Sequence, residues 1–99
     1  MARRFPLPPE QLEVTAVLHA LADPVRLAIV GQLDASAEPI SCGAFDVDVG
    51  KSTLSHHFRI LREAGVIESV RRDGRTVDNL LRRAAIDQAF PGLLDSVLR

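Results

Sequence analysis

Between Glu10 and Ala22 the apolar residues Val14, Val17, Leu18 and Leu21 recur at i, i+3, i+4 and i+7, the spacing of one stripe along an α-helix, with Leu12 at its edge. Asp23-Pro24 follows: a carboxylate suited to cap a helix, then proline at the first helical position. This predicts a second helix from Pro24 to about Asp34, with Val25, Ala28, Ile29 and Leu33 turned inward. The clearest helical pattern lies between Lys51 and Ala64. At about 100° per residue, Leu54, Phe58 and Leu61 share one stripe, widened by His57, Ile60 and Ala64. The opposite arc is polar: Lys51, Ser52, Ser55, His56, Arg59, Arg62 and Glu63. Gly65 is placed to end this helix in the left-handed conformation, with Val66 as the apolar residue that often follows.

Elsewhere the pattern changes period. Asp73-Gly74 between apolar segments 66–72 and 75–82 predicts a hairpin closed by a two-residue type I′ turn, which needs positive φ at both central positions. Ile40 to Val47 reads as a short helix weakened by Gly43, followed by a turn at 47–50. Residues 84–99 carry Ile86, Ala89, Phe90, Leu93, Leu94, Val97 and Leu98, interrupted by Pro91-Gly92. A short helix, a kink and a last helix are expected. Residues 1–9 hold three of the six prolines and read as a flexible, irregular arm containing Arg3 and Arg4.

The 99 residues fit one domain of ordinary composition, 46% hydrophobic and 25% charged. A chain this short buries a modest share of its surface, so pairing with a second copy is expected. No apolar run approaches the roughly 20 residues of a membrane span, and Arg3-Arg4 is not followed by the apolar stretch of a signal peptide. The lone Cys42 can form neither an internal disulfide nor a multi-cysteine zinc site, and a cytoplasmic location is expected. The net charge of −1 conceals an asymmetry. Residues 1–50 carry three basic and seven acidic side chains, whereas residues 51–83 carry eight basic and four acidic. A basic segment on an acidic remainder suits either a local anion-binding surface or an ordinary solvated face.

The order helix, helix, short helix, helix, hairpin, helix is that of a mainly α winged helix-turn-helix. Through "LADPVRLAIVGQL" (21–33), "STLSHHFRILREAGVI" (52–67) and "RRDGRTV" (71–77), the chain resembles the ArsR family of bacterial transcriptional repressors over residues 14–82. The resemblance implies a homodimer that binds a palindromic operator in double-stranded DNA. It also implies a dimer interface built from the first and last helices (10–22 and 84–99). Val14, Val17, Leu18 and Leu21, with Phe90, Leu93, Leu94, Val97 and Leu98, are the candidate interface residues.

Base reading needs short polar and basic side chains near the start of a helix in the major groove. Lys51, Ser52, Ser55, His56 and Arg59 meet that description, Thr53 sits near the first turn where backbone N–H groups favour an anion, and Arg62 suits a backbone contact. His57 has two readings, a partly buried histidine bonded within the fold or a neighbour of the DNA backbone. At the hairpin, Arg72 and Arg75 should face each other across the strands, with Arg71 adjacent; a phosphate would relieve their repulsion.

Many members of the resembled family sense metals through a Cys-x-Cys pair in the third helix or through Asp and His on the last. Here the first region reads Ser41-Cys42-Gly43-Ala44-Phe45-Asp46, and residues 84–99 offer Asp87 and Asp95 but no histidine. No metal or other cofactor is therefore expected. A metal- or redox-responsive repressor, the latter through Cys42, and a winged helix that binds protein instead of DNA remain the alternatives. No glycine-rich phosphate loop, nucleophile elbow or spaced carboxylate pair suggests an enzyme.

Overall fold

The computed structural model describes residues 6–99, so Arg3 and Arg4 lie outside the described residues. Helix α1 spans Val14–Leu21 and is shorter than its periodicity suggests. Pro9–Gln11 forms a separate 3-10 turn, and Leu12 and Glu13 are extended between the two. The break lets Leu12 drop into the core. Residues 6–9 are not a loose arm: Leu7 is buried, and Arg82 Nη2 donates to its carbonyl.

Helix α2, Pro24–Ala35, begins where Asp23-Pro24 places it. The Asp23 carboxylate accepts the backbone N–H groups of Val25 (2.9 Å) and Arg26 (3.1 Å), which lack partners within the helix. Its buried stripe is Arg26, Ile29, Val30 and Leu33, while Ala28, expected inward, faces solvent.

The segment expected as a short helix over 40–47 is instead strand β1, Ile40–Ser41, and a 3-10 turn, Cys42–Ala44. Two tertiary ties overcome its local preference. Gln32 of α2 clamps Asp46 at both backbone groups (2.9 Å each), and the amide of Asn79 donates to the Ile40 carbonyl at 3.2 Å. The first helix of the helix-turn-helix is thus reduced to one turn. Phe45 then packs on Phe58, ring centroids 5.4 Å apart.

Helix α3, Lys51–Glu63, ends as the sequence indicates. Gly65 has φ of 81°, its N–H bonds the Arg62 carbonyl (3.0 Å), and Val66 N–H reaches back to Leu61 (3.0 Å), which is a Schellman motif. Strands β2 (Ile67–Arg71) and β3 (Val77–Leu81) form an antiparallel hairpin, and β1 adds to the other side of β3 in the order β1-β3-β2. Asn79, at the centre of the sheet, is fully buried. It accepts from Ser69 Oγ at 2.7 Å and donates to Cys42 Sγ at 3.3 Å.

Helices α4 (Arg83–Ala89) and α5 (Leu93–Val97) follow, separated at Pro91 and at Gly92, whose φ is 84°. Val17, Leu21, Ile29, Val30, Leu61, Ile67, Ile86 and Leu94 form one core shared by helices and sheet. Among the described residues, no single helix is long and apolar enough to cross a membrane.

Candidate nucleic-acid interface

Helix α3 divides its faces sharply. His57, Phe58 and Leu61 point into the core, whereas Lys51, Ser52, Thr53, Ser55, His56 and Arg59 are exposed and Arg62 is half-exposed. Ser52, Ser55, His56, Arg59 and Arg62 line one open, shallow depression. Gly50, the residue before the helix, offers no side-chain cap, so the first-turn N–H groups stay available beside Lys51, Ser52 and Thr53. A helix start with free N–H groups and a nearby cation favours an anion such as a phosphate. Arg59 meets Glu63 at 3.7 Å, but both side chains are about two-thirds exposed, so the pair is weak and Arg59 can be recruited elsewhere.

His57 departs from this surface. It is buried, and its Nδ1 lies 3.0 Å from Nη1 of Arg26 and 3.9 Å from Oδ2 of Asp23. Of its two readings, the geometry matches the histidine bonded within the fold. Its partner Arg26 is not among the sequence candidates, although the signal is present. Arg26, Ile29, Val30 and Leu33 stand at i, i+3, i+4 and i+7, which places an arginine on an apolar stripe.

The hairpin tip differs from the two-residue turn. Asp73 Oδ1 accepts both Arg75 N–H (2.9 Å) and Thr76 N–H (2.8 Å), closing a three-residue loop of Asp73, Gly74 and Arg75. Neither Asp73 nor Gly74 has positive φ. The extra loop residue shifts the pairing: Arg72 N–H bonds the Thr76 carbonyl (2.8 Å), so Arg72 does not face Arg75. Instead Arg72 Nε meets the Asp78 carboxylate at 3.0 Å, and the expected like-charge repulsion is absent. The two loop N–H groups hold the Asp73 carboxyl below its ordinary pKa, Arg75 contributing most. Arg71 and Arg75 are exposed, with Arg71 Nη1 donating to the Gly74 carbonyl at 3.3 Å.

Part of the basic segment serves the fold. Arg82 donates to the Gly65 carbonyl at 3.0 Å and to Leu7, and burial lowers its pKa. Arg83 pairs with Asp95, with Asp87 (3.0 Å) and with Asp34 (3.0 Å), tying the end of α2 to α4 and α5. Hydrogen bonds to Asp95 and then Asp87 push its pKa further up.

The candidate pairing residues also separate. Val17, Leu21 and Leu94 belong to the chain's own core, which removes them from any outer face. Val14 and Leu18 remain 46% and 45% exposed, one helical turn apart on α1. Phe90, Leu93, Val97 and Leu98 are half-buried. Among the described residues, no group of three or more His, Cys, Asp or Glu side chains could hold a metal ion.

A polar-faced helix set in a three-helix scaffold and followed by an arginine-bearing hairpin defines a winged helix-turn-helix regulator. A family model described as a helix-turn-helix domain matches residues 21–70, from the end of α1 into β2. The chain belongs to the ArsR family of helix-turn-helix transcriptional regulators. It is 37% identical over 83 residues to the HTH-type transcriptional regulator YceK of Bacillus subtilis (strain 168), covering 82% of each chain. It is 40% identical over 76 residues to the HTH-type transcriptional repressor SmtB of Mycobacterium tuberculosis, 74% of this chain and 56% of that one. It thus spans little more than half the length of SmtB. Among solved structures, the transcriptional repressor BigR from Xylella fastidiosa superposes with a TM-score of 0.61 at 30% identity. That match covers 78% of this chain and 85% of BigR.

Proposed function

We propose that this protein is a transcriptional repressor that binds a palindromic operator in double-stranded DNA as a homodimer. Helix α3 lies in the major groove and the β2–β3 wing lies on the adjoining phosphates. The observation that carries this reading is the exposed arc of α3. Ser52, Ser55, His56 and Arg59 stand clear of the core on a helix fixed from behind by Phe58 and Leu61. Ser55 and His56 are short enough to let the backbone approach base edges, and Arg59 reaches guanine or phosphate. Lys51, Thr53 and Arg62 serve the backbone, as do Arg71 and Arg75 on the wing. Arg72 joins them only by leaving Asp78. Two copies pair through the α1 face of Val14 and Leu18 and the α4–α5 surface of Phe90, Leu93, Val97 and Leu98. Half-sites then lie about 34 Å apart, or a multiple of that. The protein acts without catalysis and in the cytoplasm, where the operator is.

The test is affinity for duplexes enriched from a random library against affinity for the unselected library, each across a salt series. Arg75→Ala should weaken both alike and flatten the log–log salt slope by about one. Ser55→Ala or His56→Ala should instead change which duplexes are preferred, by about 1–3 kcal/mol at the affected base pair. Equal effects from the two kinds of substitution would overturn these assignments, and a protein that binds only other proteins would show no salt slope.

A further inference from the structure

Arg26 is only 7% exposed, yet its guanidinium meets three acceptors. Nε donates to the Ala20 carbonyl at 2.8 Å, Nη2 to the His19 carbonyl at 3.1 Å, and Nη1 meets His57 Nδ1 at 3.0 Å. The two carbonyls belong to the last turn of α1, the arginine to the first turn of α2, and the imidazole to the buried side of α3. One planar fork thus joins three helices. Apolar contacts alone allow packed helices to roll and slide a little, whereas directional bonds from a rigid guanidinium do not. Helix α1 carries the exposed Val14 and Leu18, and α3 carries Ser55 and His56 directly before His57.

We infer that Arg26 is a positioning residue for DNA recognition: through His57 Nδ1 it fixes the base-reading arc of α3 relative to α1, and so relative to the partner protomer. This rests on the dimeric DNA-binding reading above.

The link depends on the protonation of one ring nitrogen. Guanidinium is a donor only, so the contact requires Nδ1 of His57 to carry no proton. A second proton on the ring removes the acceptor and sets two cations against each other. The groups facing His57 determine where a charged ring would turn. From α2 these are Arg26 and Asp23, whose Oδ2 is 3.9 Å from Nδ1. From α3 it is His56, ring centroid 6.0 Å away. From α1 the nearby carbonyls of His19 and Ala20 already accept from Arg26. The anion nearest His57 is therefore Asp23, which already caps α2.

The readout is the ratio of affinity for duplexes enriched by the wild-type protein to affinity for the unselected library, both at about pH 8. His57→Asn keeps an acceptor oxygen near the Nδ1 position, whereas His57→Leu removes it. Arg26→Lys keeps the charge but offers no fork. His57→Leu should lower the ratio about tenfold, the scale set by one lost charge-assisted bond, and His57→Asn should keep it near the wild-type value. Arg26→Lys should also lower the ratio about tenfold, with library affinity and oligomeric mass unchanged. A wild-type ratio in Arg26→Lys or His57→Leu, or an equal fall in His57→Asn and His57→Leu, overturns the positioning role alone. A wild-type protein that enriches no duplex overturns the DNA-binding reading and this inference together.

Discussion

Asp23 shows how one carboxylate sets a boundary between elements. It caps α2 through two backbone N–H groups, and these bonds, the Arg26 N–H foremost, hold its pKa below the ordinary value of 3.8. A group whose pKa is lowered by folding stabilises the fold above its ordinary value and loses that contribution as pH falls through the lowered one. Asp23→Ala should cost about 1 kcal/mol at neutral pH. Asp23→Asn keeps a capping oxygen without the charge. The wild type should therefore exceed Asp23→Asn in unfolding free energy at neutral pH, and the gap should close as pH falls below the ordinary carboxylate value. Denaturant titrations across an acid series check this. Gly65 is constrained differently. Its φ is 81°, which L side chains rarely adopt, and a Cβ there would stand 2.4 Å from Leu12 Cδ2, so that side chain would also have to shift. Gly65→Ala should destabilise the protein by roughly 1–3 kcal/mol in the same titrations.

At the scale of elements, α3 and its glycine stop are legible in the sequence because local spacing and local bonds determine both. The wing is legible as a hairpin but not in its register. Whether Asp-Gly closes two residues or three depends on where the Asp73 carboxylate finds donors, and it finds them at Arg75 and Thr76. The consequence is chemical as well as geometric, since Arg72 is paired to Asp78. Asp78→Asn should free it and remove a negative charge from the wing. Affinity for unselected duplex should then rise a few-fold at low salt, with the salt slope steeper by about one. An unchanged slope in a filter-binding salt series would show that Arg72 does not reach the phosphates. The β1 segment departs from its helical expectation for a related reason. Its strand exists because β3, nearly forty residues on, pairs with it and Asn79 bonds the Ile40 carbonyl, while Gln32 fixes Asp46 beyond it.

For the whole molecule, the basic character of residues 51–83 overstates the surface available to a polyanion. Arg82 and Arg83 stitch the C-terminal helices to the N-terminal arm and to α2. What is left is a narrow positive strip along α3 and the wing tip, on a chain of net charge −1. Such a strip suits a defined site better than indiscriminate attachment to DNA. The exposed Leu18 offers a direct test of pairing. Leu18→Glu should leave the protomer folded, halve the mass seen by sedimentation, and make operator binding at least about tenfold weaker by removing the second half-site contact. The melting temperature of the wild type, but not of Leu18→Glu, should rise with protein concentration.

The sequence by itself determined what short-range spacing controls. This includes the polar and apolar arcs of α3, the Asp23 cap, the left-handed stop at Gly65, the presence of a hairpin, and hence the winged-helix order with its candidate base-reading residues. Tertiary structure decided which charges are spoken for. Arg26, Arg82 and Arg83 became internal connectors, Arg72 acquired Asp78, His57 turned to the core, and Val17, Leu21 and Leu94 were taken from the outer face into the chain's own interior. The physical reason is that a helical or strand period fixes the direction of a side chain relative to its own element. The partner it meets lies on another element, whether six residues away, as Asp78 is from Arg72, or 31, as His57 is from Arg26, and is set by hydrogen bonds and burial that the period does not encode.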